Sequence, residues 1–193
     1  RGANTMNQNS PYFKRAKLMA QTLSLVSTEK CFALKGGTAI CFFYRDMPRL
    51  SIDIDLTYLP IGPRDESLRA ISAGLERIAA VIRKRGFHVE SGKTAAGRIH
   101  KLFVSDRESR IKIEPNEVLR GTIHPVESRT LLATAEEVFG TSATIQTLAI
   151  SDVYAGKLCA ALDRQHPRDL FDVKLLLENE GITSDIRRAF VVY

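Results

Sequence analysis

Residues 51–58 alternate strictly between polar and apolar side chains, and this stretch most constrains what the chain can fold into. The apolar positions are Ile52, Ile54, Leu56 and Tyr58, and the polar positions are Ser51, Asp53, Asp55 and Thr57. A two-residue period predicts a half-buried β-strand. Asp53 and Asp55 would then lie side by side, where two carboxylates repel each other unless a cation lies between them. Oxygen ligands of this kind suit Mg²⁺.

A second feature lies upstream in Lys35-Gly36-Gly37-Thr38. Residues 31–35 read as a short strand, the glycine pair permits a tight turn, and Thr38 can begin a helix over residues 38–45. Backbone amides at the start of a helix form a ready anion site. Each feature alone is commonly a plain turn or a solvated strand face. Together, at one end of adjacent strands, they favour phosphoryl or nucleotidyl transfer.

The remaining pattern predicts an α+β (mixed α/β) protein. Helices are expected over residues 12–28, 65–85, 135–139 with a capping box at Thr134, and 151–165 with a cap at Ser151-Asp152; another begins at Pro167, and Thr183 starts a further element. Strands are expected over residues 87–90, 99–104, 110–114 and 144–149, with 116–130 irregular and His124 without a role. The closely spaced strands suggest antiparallel hairpins and therefore a mixed sheet.

Cations follow one stripe of the helix predicted over residues 151–165. Lys157, Arg164 and Arg168 lie along it together with the small residue Ala161. A lysine as a compact charge and an arginine as a fork suit triphosphate oxygens, although an exposed basic helix face is the alternative. Asp169 is expected to join a local ion-pair web that holds Lys157 and Arg164. Basic residues before the carboxylate strand, Arg45 and Arg49, would hold triphosphate or RNA, or simply lie in a solvated loop.

Two blocks of the sequence resemble the AbiEii/AbiGii-type nucleotidyltransferase toxins. The first is Leu34-Lys35-Gly36-Gly37-Thr38-Ala39 followed by Arg49-x-Ser51-x-Asp53-x-Asp55-Leu56. The second is Lys157-Leu158-x-Ala160-Ala161-x-x-Arg164-x-x-x-Arg168-Asp169-Leu170-Phe171-Asp172. The resemblance covers roughly residues 32–177. It implies a polymerase β-like nucleotidyltransferase fold, in which helices flank a mixed sheet, and a place in a type IV toxin–antitoxin or abortive-infection system.

The resemblance also implies roles for individual residues. Asp53 and Asp55 would hold metal, and Glu114 is the best candidate for the third carboxylate that such folds commonly add, the alternative being a surface carboxylate at a strand end. Lys157 would join the two aspartates as a catalytic residue. The nucleotide-binding residues would be Lys35, Gly36, Gly37, Thr38, Ser51, Arg164 and Asp172. Mg²⁺ as cofactor, an NTP substrate, an RNA acceptor such as the tRNA 3′ end, and a cognate antitoxin complete the implied set.

Composition sets broader bounds. A net charge of +6 and a pI near 9.4 mildly favour a polyanionic partner, while 7% aromatic residues and no Trp give little sign of a base-stacking platform. Cys31, Cys41 and Cys159 lie in apolar settings and read as core thiols, which fits a reducing cytoplasm. No apolar run approaches a membrane span, and the N-terminus has no signal-peptide core.

We expect a single domain over residues 6–193, with Met6 as the native start and residues 1–5 as a cloning remnant. Relatives often continue into a C-terminal helical region, whose absence would limit acceptor recognition. Three other functions remain open: transfer of a nucleotide or phosphoryl group to a protein, non-catalytic NTP or RNA binding, and an unrelated α+β protein in which both motifs are only structural. The intact Asp-x-Asp pair disfavours the non-catalytic reading.

Overall fold

The computed structural model describes residues 7–193, so the expectation for Met6 and residues 1–5 lies outside the described residues. In chain order the elements are α1 (Pro11–Val26), β1 (Phe32–Lys35), α2 (Gly36–Ala39), a π-helical turn (Ile40–Tyr44), β2 (Asp53–Tyr58), α3 (Arg64–Lys84), β3 (His88–Lys93), β4 (Ile99–Ser105), β5 (Arg110–Asn116), β6 (Glu127–Thr130), α4 (Ala133–Phe139), β7 (Thr144–Thr147), α5 (Ile150–Arg164), α6 (Pro167–Asn179) and α7 (Ser184–Val192).

The seven strands form one mixed sheet in the order β3-β4-β5-β2-β1-β7-β6. Strands β3, β4 and β5 are joined as antiparallel hairpins, as the sequence predicts. β2 runs antiparallel to β1 and parallel to β5, and β7 runs parallel to β1 and antiparallel to β6. The predicted fold class is confirmed, and the strand that carries both aspartates lies in the middle of the sheet.

One face of the sheet is covered by α1 and α3, which contact β2 to β5 and β7. The apolar residues of α3 fall at helical spacing and are buried: Leu68, Ile71, Leu75, Ile78 and Ile82. They meet the inward side chains of the strands, among them Ile54, Leu56, Leu102, Val104 and Ile113. No helix within residues 7–193 combines the length and apolar character that crossing a bilayer requires.

The structure corrects three details of the predicted elements. The region expected to be irregular contains β6, which pairs with β7 at the far edge of the sheet. α4 begins after Leu132 without a side-chain cap, so the predicted capping box at Thr134 is wrong. α5 likewise has Ala149 at its N-cap, because the Asp152 carboxylate bonds a distant loop instead of the end of its own helix.

Candidate active site between β2 and α5

Asp53 and Asp55 lie on the polar side of β2, as the alternation predicts. Ile54 and Leu56 are fully buried on the opposite side, against α1 and α3. Strands flank β2 on both sides, and Asp55 is in register with Lys35 of β1 and with Glu114 of β5. The two carboxylates are therefore carried by a strand whose orientation is fixed by its buried face.

The surroundings of Asp55 disfavour its negative charge. Burial raises the pKa of the Asp55 carboxyl; the positive charge of Lys35 opposes this shift, and the charge of Asp53 adds to it. Burial lowers the pKa of Lys35 in turn, although Asp55 attracts its proton. A cation bound beside the two carboxylates would replace the solvation that they lack.

Gly36 brings the backbone of α2 against Asp55. Its φ is +71°, in the left-handed region, and a Cβ at this position would lie 2.8 Å from Asp55 Oδ2. The chain passes from β1 directly into α2 at this residue, so the helix begins two residues earlier than predicted. Only glycine allows both the turn and the close carboxylate.

Thr38 and Ser51 are buried beneath this turn and tie α2 to the start of β2. The Thr38 hydroxyl donates to the main-chain carbonyl of Asp53, and its oxygen lies 2.9 Å from Ser51 Oγ. In this arrangement both hydroxyls position Asp53. The nucleotide-binding role predicted for them stays a prediction.

Lys157 of α5 is buried and held by two carboxylates. Its Nζ lies 2.8 Å from Asp169 Oδ1 and 3.2 Å from Asp172 Oδ2. Arg164 Nε lies 2.7 Å from the other oxygen of Asp169, which gives the ion-pair web expected from the sequence. Burial acts to raise the pKa of Asp169, but the hydrogen bonds and charges of Lys157 and Arg164 outweigh it, so the pKa is lowered.

Asp172 joins this web to the loop before β2. Its carboxylate is fully buried and accepts two hydrogen bonds from the Arg49 guanidinium, at 2.9 and 2.6 Å. A Cβ on Gly37 would lie 2.6 Å from Arg49 Nη2, so the second glycine leaves room for the guanidinium. Arg49 is therefore neither solvated nor free. Asp172 of α6 links Lys157 of α5 to Arg49 in the loop before β2.

Arg168 does not continue the cationic stripe of α5. The helix ends at Arg164, and α6 starts anew at Pro167, so the helical spacing that linked the three cations is broken. The Arg168 guanidinium instead lies against the Tyr12 ring of α1 and donates to its hydroxyl.

A cleft of about 750 Å³ lies between the sheet and α5. Six of the predicted site residues line it: Lys35, Gly36, Asp55, Glu114, Lys157 and Arg164. The others, Gly37, Thr38, Ser51, Asp53 and Asp172, lie beside or beneath it, and the hydrogen bonds of Thr38, Ser51 and Asp172 connect them to the residues that carry the site. Carboxylates on one wall thus face a lysine and an arginine on the other.

The sequence matches the family model described as "Nucleotidyl transferase AbiEii toxin, Type IV TA system" over residues 17–193. The chain belongs to the AbiEii family. Membership confirms the resemblance carried by the two motif blocks, and the family is described as one of nucleotidyltransferase toxins. It also excludes an unrelated α+β protein. No curated protein has a sequence that matches this chain significantly.

Solved structures support the fold of this AbiEii chain. It is similar to MenT4, the nucleotidyltransferase toxin Rv2826c from Mycobacterium tuberculosis H37Rv, with 21% identity and a TM-score of 0.71 over 94% of this chain and 64% of that one. JHP933 from Helicobacter pylori gives 20% identity and a TM-score of 0.56 over 88% and 67% of the two chains. ANT(2″)-Ia in complex with adenylyl-2″-tobramycin gives 15% identity and a TM-score of 0.53 over 93% of this chain and 98% of that one.

The chain therefore spans 64% of the length of the MenT4 chain. At these identities the likeness establishes a shared fold. The substrates and partners of the AbiEii chain have to be argued from its own residues.

The donor set at β2 fits a divalent cation with two carboxylates. Mg²⁺ is usually held by one or two carboxylates together with substrate phosphates and water, which is what Asp53 and Asp55 can offer. Glu114 is adjacent to Asp55 but points its Oε2 to Lys112 Nζ, 2.7 Å away. Within residues 7–193 no group of three or more His, Cys, Asp or Glu side chains is arranged to hold a metal ion, so Glu114 as third ligand remains a prediction.

Sequence reasoning missed the role of His124. Its Nδ1 lies 2.6 Å from Asp152 Oδ2, and Asp152 is fully buried and also accepts from the Ile123 and His124 amides. This bond fixes the loop after β5 to the start of α5, and Asp152 lines the cleft. The two residues are 28 positions apart, and neither has a pattern around it that would predict the contact.

Proposed function

We propose that this chain is the toxin of a toxin–antitoxin pair and transfers a nucleoside monophosphate from an NTP to an RNA acceptor in a Mg²⁺-dependent reaction. The tRNA 3′ end is the specific acceptor that we propose, and a cognate antitoxin is the proposed partner. The observation that carries the proposal is one cleft in which Asp55, beside Asp53 and under Gly36, faces Lys157 and Arg164.

The reaction joins an acceptor hydroxyl oxygen to the α-phosphorus of the NTP. The bond between that phosphorus and the oxygen bridging to the β-phosphate breaks, pyrophosphate leaves, and the hydroxyl proton is lost. Asp53 and Asp55 would hold Mg²⁺, which when bound lowers the pKa of the hydroxyl and offsets charge on the phosphates. Gly36 would bring its backbone to the triphosphate, and the position of Asp53 depends on Thr38.

The ion-pair web, not the α5 wall as a whole, supplies positive charge for the triphosphate. The web contains three cations, Arg49, Lys157 and Arg164, and two carboxylates, Asp169 and Asp172, while Asp152 and Asp163 of α5 also line the cleft. Arg164 is the most exposed of the three cations, with 62% of its side chain accessible, so its Nη1 can reach a phosphate without breaking the bonds of Nε and Nη2 to Asp169. Lys157 would lie behind it as a fixed charge.

The test incubates the protein with each α-³²P-labelled NTP, Mg²⁺ and total bacterial RNA. Wild type should label a small RNA, Asp53→Ala should not, and Asp65→Ala should label like wild type. Asp65 is the matched control, because it is an exposed aspartate in the first turn of α3 on the other side of the sheet. Equal label with wild type and Asp53→Ala would remove Asp53 from the mechanism.

The position and carrier of the label separate the alternative reactions. Label from γ-³²P-NTP would indicate phosphoryl transfer, and label in a protein band would indicate a protein acceptor. Bound NTP with no labelled product would indicate a binding module. We further propose that residues 6–193 are one nucleotidyltransferase-like domain, to which a C-terminal helical region would add acceptor-binding surface.

A further inference from the structure

On β3, β4 and the first half of β5, the face turned away from α1 and α3 carries half-buried and exposed side chains. α1 and α3 contact these strands through the side that buries Leu102, Val104 and Ile113. The side chains on the opposite side alternate with these and are partly or fully exposed: His88, Glu90, Lys101, Phe103, Ser105, Arg110 and Lys112. We call this surface the open face.

A phenyl ring lies among cations on the open face. The Arg110 guanidinium lies 4.3 Å from the centroid of the Phe103 ring, and Lys101 Nζ lies 5.7 Å from it. Lys112, the cross-strand neighbour of Phe103, is the third cation near the ring. Two of them have acidic partners, Arg110 with Glu90 at 2.6 Å and Lys112 with Glu114 at 2.7 Å. Such solvent-accessible pairs contribute little to stability.

The open face continues the strand row that contains Asp53. Asp53 is in register with Lys112, Lys112 with Phe103, and Phe103 with Glu90. Strands are spaced about 4.8 Å apart, so the β4 backbone lies roughly 10 Å from that of β2. The cleft is lined by Asp55, Glu114 and His100 but not by Asp53, Phe103 or Lys112. The open face therefore meets the carboxylate pair in the strand row of Asp53, one row along the strands from the row of Asp55 that lines the cleft.

We propose that the open face docks the acceptor, a single-stranded RNA 3′ end, with one of its last bases stacked on Phe103. The inference rests on the proposed nucleotidyl transfer, which needs the donor and the acceptor on opposite sides of the metal ligands. With the NTP in the cleft at Asp55, the open face lies beside Asp53, outside the cleft lining. A base stacks on an aromatic ring whatever its identity, and Lys101, Arg110 and Lys112 follow the phosphates.

A binding experiment tests this without requiring catalysis. A short 5′-fluorescein-labelled single-stranded RNA with a free 3′ hydroxyl is titrated with intact protein, and anisotropy is followed over a range of NaCl concentrations. Phe103→Ala should weaken binding about 5- to 150-fold, the effect of removing one stacked base, and leave the salt dependence unchanged. Lys101→Gln should lower the slope of log affinity against log salt by roughly 0.7, the value for one phosphate contact.

Two further variants separate stacking from folding. Tyr12→Ala removes another exposed ring that also has an arginine against it, and it should bind RNA like wild type. Phe103→Leu keeps apolar volume without the ring, so it should lose affinity like Phe103→Ala while the circular dichroism spectrum stays native. RNA affinity equal to wild type in both Phe103 variants would overturn the proposal.

Kinetics distinguish failure of this inference from failure of the proposed function. If both are right, Phe103→Ala raises KM for RNA and leaves KM for NTP unchanged. If wild type labels RNA and Phe103→Ala does so with the same KM, the docking surface is wrong and the activity stands. If wild type binds RNA through Phe103 but labels none, the surface stands and the activity is wrong. No RNA binding by wild type overturns the surface.

Discussion

Replacing Asp172 with Asn should destabilise the protein strongly, because Asp172 is the buried counter-ion of two cations. The Asp172 side chain is inaccessible, and those of Arg49 and Lys157 are 16% and 7% exposed. Removing one partner of a buried ion pair costs about 3–5 kcal/mol. Asn keeps the side-chain volume and one hydrogen-bond acceptor, and Lys157 keeps its ion pair with Asp169. We therefore expect a loss of about 3 kcal/mol in the free energy of unfolding, at the lower end of this range. For a chain of this size that lowers Tm by roughly 6–12 °C.

Urea unfolding and thermal denaturation measure this loss. Glu178→Gln is the control, because Glu178 forms only an exposed pair with Lys174 at 3.6 Å and should change the free energy of unfolding by less than about 0.5 kcal/mol. The double variant Arg49→Gln/Asp172→Asn should be about 0.5–3 kcal/mol more stable than the sum of the single losses predicts. If Asp172→Asn unfolds within about 1 kcal/mol of wild type, the ion-pair web does not hold β2 to α6.

Three other outcomes follow from the same geometry. Asp55→Asn should abolish nucleotide transfer yet raise the free energy of unfolding at pH 7 by about 0.5–2 kcal/mol. Because burial raises the pKa of Asp55 in the folded protein, this gain in stability should shrink as pH falls towards the pKa of the unfolded chain, about 3.9. Urea titrations at several pH values measure the gain. Asp169→Asn should have the opposite sign and destabilise the protein at neutral pH, because the pKa of Asp169 is lowered in the folded state. This loss of stability should shrink below about pH 4, where the wild-type carboxylate becomes protonated, and the same urea titrations measure it. Gly36→Ala should cost about 1–2 kcal/mol for its left-handed backbone and should reduce transfer by displacing Asp55, measured by unfolding and by labelling of RNA.

The elements that position the carboxylates could be predicted because they depend on local periodicity. Alternation along residues 51–58 identifies β2, the faces of its side chains and the proximity of Asp53 to Asp55, and helical spacing identifies α3. Contacts made by charged side chains across long separations carry no such pattern. Arg49 and Asp172 are 123 positions apart, and nothing around either shows that one neutralises the other.

Phe103 illustrates the same limit for the open face. Its strand could be predicted from alternation, and so could the fact that Phe103 and Leu102 lie on opposite sides. Which side a helix covers is decided by sheet order, and β5 lies beside β2 only because a parallel crossover places it there. Phe103, an apolar residue of a type usually found in the core, is therefore left partly exposed in the same strand row as Asp53.

Sheet order also gives the two halves of the proposed reaction separate locations. β2 has β1 on one side and β5 on the other, so the glycine turn that follows β1 lies on one side of the carboxylates. α5 lies over the cleft that β1, β2 and β5 line together, and it brings Lys157 there. The β5–β4 hairpin supplies the other side with cations and one ring. A strand placed at an end of the sheet could carry the same Asp-x-Asp pair but would have only one side to offer, so the central position of β2 matters as much as its two aspartates.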